Sequence, residues 1–69
     1  MKLVKTTKLH FIYQLTDKEM KENDYTSPFL LFLKSSYPDS KPTANIDIGY
    51  EDWETDTLEE AIEWSKSDE

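Results

Sequence analysis

The chain has 69 residues, enough for one domain and too few for two. It contains no Cys, which excludes disulfides and thiolate metal sites, and its net charge of −7 disfavours nucleic acid and anionic lipid as partners. The longest unbroken apolar run, Phe29 to Leu33, is far shorter than a membrane span or a signal-peptide core, so a cytoplasmic protein with no membrane association is expected.

The charge is unevenly placed. Residues 1–34 hold six Lys against four acids, a net of +2, and residues 35–69 hold two Lys against eleven acids, a net of −9. Between Asp47 and Glu63 stand eight carboxylates and no basic residue. Such a segment attracts basic partners. Two Trp, four Tyr and three Phe offset the small size, because each large ring can bury roughly 150–250 Å².

The first patterned segment is 8–16. Leu9, Phe11, Tyr13 and Leu15 alternate with Lys8, His10, Gln14 and Thr16, and Ile12 interrupts the polar set. A period of two predicts a half-buried strand, starting as early as Leu3, with residues 1–7 otherwise frayed. Residues 17–25 are charged and read as a loop, although Thr16 and Glu19 have capping-box spacing and allow one helical turn. Residues 28–36 are apolar on both faces. Ser27–Pro28 would start a helix well, but a helix apolar all round needs more cover than this chain has, so a strand is expected. Residues 37–43 hold two prolines and form a turn.

Residues 45–53 alternate again, with Ile46, Ile48 and Tyr50 on one face and Asn45, Asp47, Gly49, Glu51 and Trp53 on the other; this predicts an amphipathic strand with a bulge or close approach at Gly49. Residues 57–66 predict a helix, with Thr57 and Glu60 as a capping box and Leu58, Ala61, Ile62 and Ser65 on one face. Lys66 to Glu69 read as a frayed tail.

The sum is an α+β fold, β-β-β-α: a three-stranded antiparallel sheet with one C-terminal helix on one face. The expected core is Leu9, Phe11, Tyr13, Ile46, Ile48, Tyr50, Leu58 and Ile62. The second face would be open, showing His10, Ile12, Asp47, Glu51, Trp53 and one side of the 29–33 run.

The step from Asp52 to Ser65, Asp-Trp-Glu-Thr-Asp-Thr-Leu-Glu-Glu-Ala-Ile-Glu-Trp-Ser, resembles the last-strand-into-helix step of plant Apetala-type and phage-integrase arm-binding domains. Its Thr-Leu-Glu-Glu-Ala segment is also similar to one in HicB-like antitoxins. The likeness is a capping box plus apolar spacing, a matter of local architecture, and it assigns the chain to no family. The arm-binding families grip DNA with a basic sheet face. The matching region here is acidic, so DNA binding does not carry over.

Little points to catalysis. One His, no Cys and one Gly leave no thiol nucleophile and no glycine-rich phosphate loop, and a Ser–His pair would have to use His10, read as a surface or rim residue. Asp52, Glu54 and Asp56 alternate like the oxygen ligands of a calcium loop, but the glycine and distal Glu of that loop are missing at the right spacing. No cofactor or metal is expected, and no enzyme. Trp64 reads as core or rim, and Trp53 as exposed.

The sharpest feature is the acid cluster Asp47, Glu51, Asp52, Glu54, Asp56, Glu59, Glu60 and Glu63. Side chains two apart on a strand sit about 6.6–6.8 Å apart, close to a repeating charge array that imitates a phosphate backbone. The expected function is a small acidic protein-binding module, of the kind a phage or mobile element uses to cover the basic nucleic-acid-binding surface of a host protein. Its expected contact residues are Asp47, Glu51, Asp52, Trp53, Glu54, Asp56, Glu59 and Glu63, and its expected partner is a basic protein. The alternative is an accessory or self-associating domain, a homodimer for example, that uses the open sheet face and the 29–33 strand edge.

Overall fold

A computed structural model describes residues 1–67. Strands β1 (Lys2–Thr6), β2 (His10–Gln14), β3 (Phe29–Leu33) and β4 (Trp53–Thr55) form one antiparallel sheet in the order β1-β2-β3-β4. Helix α1 (Asp17–Glu22) joins β2 to β3, a 3₁₀ turn covers Lys34–Ser36, and helix α2 (Leu58–Ser67) follows β4. The α+β class and the C-terminal helix are as expected, but the sheet has four strands, not three.

The additional strand comes from a turn with no Gly or Pro. The Thr7 amide donates to the His10 carbonyl at 2.9 Å, and the Thr7 hydroxyl accepts the His10 amide at 3.0 Å. The hydroxyl stands in for a backbone group, so the chain reverses between β1 and β2. Residues 2–6 are thereby paired with β2.

Thr16 caps α1 with a full capping box: its hydroxyl accepts the Glu19 amide, and the Glu19 carboxylate accepts the Thr16 amide. The Glu19 carboxylate also holds the N-terminal ammonium. Asp24 closes the helix at φ 57°. The loop expected over 17–25 is therefore largely helical.

β3 is a strand, as its two-sided apolar run requires. It lies between β2 and β4, and Leu30, Leu31 and Phe32 are fully buried. Residues 45–52 are not a strand, and of the expected strand only Trp53 is paired, as the first residue of β4. Asp47 closes one turn by donating its amide to the Thr43 carbonyl at 2.9 Å, and a second turn runs from the Asp47 carbonyl to the Tyr50 amide at 2.9 Å. Gly49, at φ 105°, occupies the position of that second turn that needs a left-handed residue. β4 is left with three residues.

Both sheet faces are covered, and the expected faces are exchanged. Ile12 and Leu31 pack under α2 against Ala61, with Val4, Phe29, Leu58, Ile62 and Trp64 around them. Tyr13, Leu15, Leu30 and Phe32 face the other way and are covered by Met20 and Tyr25 from the α1 connection and by Tyr37 and Ile48 from the 37–52 loop. His10 and Ile12, expected on an open face, are fully buried. Ile46 and Tyr50, expected in the core, are 72% and 76% exposed. Leu9 is half-buried. The open face and free 29–33 edge that supported the self-association reading are absent.

α2 runs as expected, with Ala61 and Ser65 buried on its inner face. Lys66 and Ser67 belong to it, and residues 68–69 of the expected tail lie outside the described residues. Thr57 accepts the Glu60 amide at 3.2 Å. No helix among the described residues is long and apolar enough to cross a membrane.

Candidate functional site

Seven of the eight acids from Asp47 to Glu63 fall into three groups, and the eighth, Glu60, accepts the Thr57 hydroxyl at the start of α2. The first group is built into the fold. Asp47 accepts the Thr43 amide at 2.7 Å and the Tyr37 hydroxyl at 2.9 Å. Glu51 accepts the Gly49 amide at 2.9 Å and the Tyr25 hydroxyl at 2.8 Å. These two carboxylates fasten the 37–52 loop over the sheet. Burial first, then the carboxylate hydrogen bond, raises both tyrosines, Tyr37 to about 12 and Tyr25 further.

That arrangement predicts alkaline loss of stability. A tyrosine whose folded value is raised stabilises the fold fully below its unfolded value of about 10, and the contribution is lost as pH climbs through the folded value. Stability to denaturant is expected to fall between about pH 10 and about pH 12, as phenolate absorbance rises. Glu51→Gln, which removes the charge, is expected to shift the ionisation of Tyr25 downward. An unchanged phenolate titration in that variant would show that Glu51 does not hold the tyrosine.

The second group surrounds His10. Its Nδ1 lies 2.7 Å from the Ser65 hydroxyl on α2, and its Nε2 lies 3.2 Å from Asp52 Oδ2 just before β4. Ser65 is also hydrogen-bonded to the Thr7 hydroxyl. The His10 and Trp64 rings meet edge-to-face with centroids 5.5 Å apart, and Trp64 stacks on Trp53 at 5.7 Å with 7° between the planes. Ser65, His10 and Asp52 have the composition of a hydrolytic triad. A nucleophile must face its substrate, and both Ser65 and His10 are fully buried where α2 packs on the sheet. The arrangement joins β2, β4 and α2. It can hold these elements together, and it leaves every buried side-chain polar atom among the described residues with a partner.

The third group is exposed where β4 passes into α2. It comprises Glu54, Asp56, Glu59 and Glu63, with Trp53 half-exposed beside Glu54. Asp56 accepts the Ser27 hydroxyl at 2.9 Å. Desolvation first, then the charges of Glu51 and Asp56, raises the Glu54 carboxyl above its ordinary range. Glu59 lies in the first turn of α2, where the helix dipole favours negative charge. The ion pairs between described residues are the N-terminus with Glu19, His10 with Asp52, and Lys18 with Glu22. None neutralises this third group.

The expected contact residues are thus dispersed. Trp53 and Glu54 point to opposite faces of β4, since their partners Leu31 and Leu30 alternate on β3. An even 6.6–6.8 Å charge ladder, an approximate strand spacing, has no strand to carry it over 45–52. Asp52, Glu54 and Asp56 do not converge, and among the described residues no group of three or more His, Asp or Glu is placed to hold a metal ion. Sequence reasoning missed the buried role of His10. The one signal was Ile12, an apolar residue in the same alternating set. No family model matches the chain, and no curated protein or solved structure matches it.

Proposed function

We propose that this chain is a small acidic protein-binding module that engages a basic surface of a partner protein through the β4–α2 junction. Glu54, Asp56, Glu59 and Glu63 make the contact, and Asp47, Glu51 and Asp52 shape the surface from within the fold. The supporting observation is the crowding of Glu51, Glu54 and Asp56 around a short edge strand, without a neutralising cation in the ion pairs among the described residues. Carboxylates held against like charge gain most from an incoming Lys or Arg. A surface that binds phosphate backbones carries such cations, so nucleic-acid-binding proteins are the partner class whose charge fits best.

The test is capture by the immobilised chain from nuclease-treated lysate, eluted at low salt and then at about 0.5 M salt, where exposed charges are largely screened. Captured basic proteins are expected to elute between the two. A Glu54→Lys/Glu59→Lys bait is expected to bind them at least about tenfold more weakly, because one close interfacial charge pair is worth about 1.5 kcal/mol or more. Equal capture by the reversed bait would overturn the proposal. Retention of the same proteins through the high-salt wash would do so as well.

A further inference from the structure

The Trp53–Trp64 pair is an aromatic feature that the fold leaves partly at the surface. Trp53 is 51% exposed, although its ring lies parallel to that of Trp64. A stacked ring has one face covered by its neighbour, which leaves the other for solvent. Trp64 does not float: it packs edge-to-face with His10, and His10 is fixed by Ser65 and Asp52. A buried hydrogen-bonded chain therefore sets the plane of an exposed indole. A rigid aromatic surface of this kind loses little conformational entropy when something stacks on it.

The surrounding charge decides what can stack there. Asp52 precedes Trp53 in the chain, and Glu60 stands one helical turn before Trp64. A nucleotide would bring phosphate into the field of a chain with net charge −7. A cation is favoured on both counts, by the indole face and by the acids. Between the two cationic side chains, guanidinium is planar, weakly hydrated and able to fork onto a carboxylate while lying flat on a ring, whereas ammonium is a compact, strongly hydrated charge.

We infer that the outer face of Trp53 is a guanidinium-binding surface that reads an arginine of the partner protein. The inference rests on the acidic-module reading above and adds to it a preference of arginine over lysine. Bulk acidity alone gives no such preference.

The experiment uses the isotope-labelled full chain and three blocked peptides: one arginine-rich, one with lysine at every arginine, and one with uncharged citrulline at every arginine. The arginine peptide is expected to shift the Trp53 indole N–H resonance and to bind about two- to fivefold more tightly than the lysine peptide, the factor that a surface cation–π contact is worth. Citrulline is expected to bind far more weakly than either. Trp53→Leu is expected to abolish the arginine preference and leave lysine-peptide binding in place. Equal binding of the arginine and lysine peptides by the unmodified chain overturns this inference and leaves the acidic-module reading standing. Arginine preference that survives Trp53→Leu, or citrulline binding as tight as arginine, overturns it too. Failure of both cationic peptides to bind removes the acidic-module reading along with it.

Discussion

His10→Ala is expected to lower stability by about 2–4 kcal/mol, through a cavity beneath Trp64 and the loss of both ring hydrogen bonds. A domain this small has a total stability on the order of 3–5 kcal/mol, so the variant should be largely unfolded at moderate temperature. The imidazole, on β2, is hydrogen-bonded to two residues distant from it in sequence. Ser65 belongs to α2 and Asp52 precedes β4, so one ring on β2 ties the helix to β4, and Ser65 in turn reaches the Thr7 hydroxyl in the β1–β2 turn. Ser65→Ala leaves Nδ1 and the Thr7 hydroxyl without their shared partner and should cost about 1–3 kcal/mol.

Because the two residues act in one network, the double variant is expected to fall short of the sum by about 0.5–3 kcal/mol. Denaturant titration followed by Trp fluorescence measures all three variants, since Trp64 lies against the His10 ring. Strict additivity, or a His10→Ala cost within the few tenths typical of a surface site, would show that the buried arrangement does not hold the fold together.

The network also explains what sequence alone could and could not disclose. α2 is legible because its signals are local: a Thr57 cap, acids in the first turn, and Ala61 and Ser65 four apart on the buried face. β3 is legible because an apolar run with no polar side needs cover on both faces, which a central strand obtains in so small a chain more readily than the helix that Ser27–Pro28 could start. The contacts of His10 are not local. Ser65 is 55 residues away and Asp52 is 42, and no spacing rule reaches that far. A lone His has no periodic signature of its own.

The errors in the 45–53 segment have a different origin. Ile46, Ile48 and Tyr50 imitate a strand, but Asp47 and Gly49 stand at the first and third positions of a turn, and that chemistry outweighs the alternation. The signal was present and pointed the other way. The β1–β2 turn carried almost none, because a Thr hydroxyl performed what Gly or Asn usually performs. With β1 missing from the count and a strand read in place of the loop, the sequence puts the helix on the Tyr13 face and leaves the His10 and Ile12 face open, whereas α2 covers Ile12 and the loop covers Tyr13. The residues of the candidate surface were legible in kind, as acids and an exposed Trp. Their division between structure and surface was not, because it depends on which carboxylates meet Tyr25, Tyr37 and His10.

Phe32→Ala is expected to cost about 3–5 kcal/mol, the range for truncating a fully buried aromatic, and so to unfold the chain. The more discriminating variant is Phe32→Leu, which keeps most of the apolar volume. Phe32 meets Tyr13 edge-to-face at 5.7 Å and Tyr37 at 6.0 Å, and Tyr37 in turn donates to Asp47. Each ring pair contributes about 0.5–1.5 kcal/mol beyond its area, so Leu at this site loosens the loop more than the sheet. Hydrogen exchange should show it as local opening. The Asp47 and Tyr50 amides, bonded to the Thr43 and Asp47 carbonyls, are expected to lose protection in Phe32→Leu by a larger factor than the Ala61 amide of α2. Equal loss at all three would mean that the loop and helix open only together, through global unfolding. That outcome would make the 37–52 loop an integral wall of the core, and the surface acids at its C-terminal end would then be held as rigidly as the sheet itself.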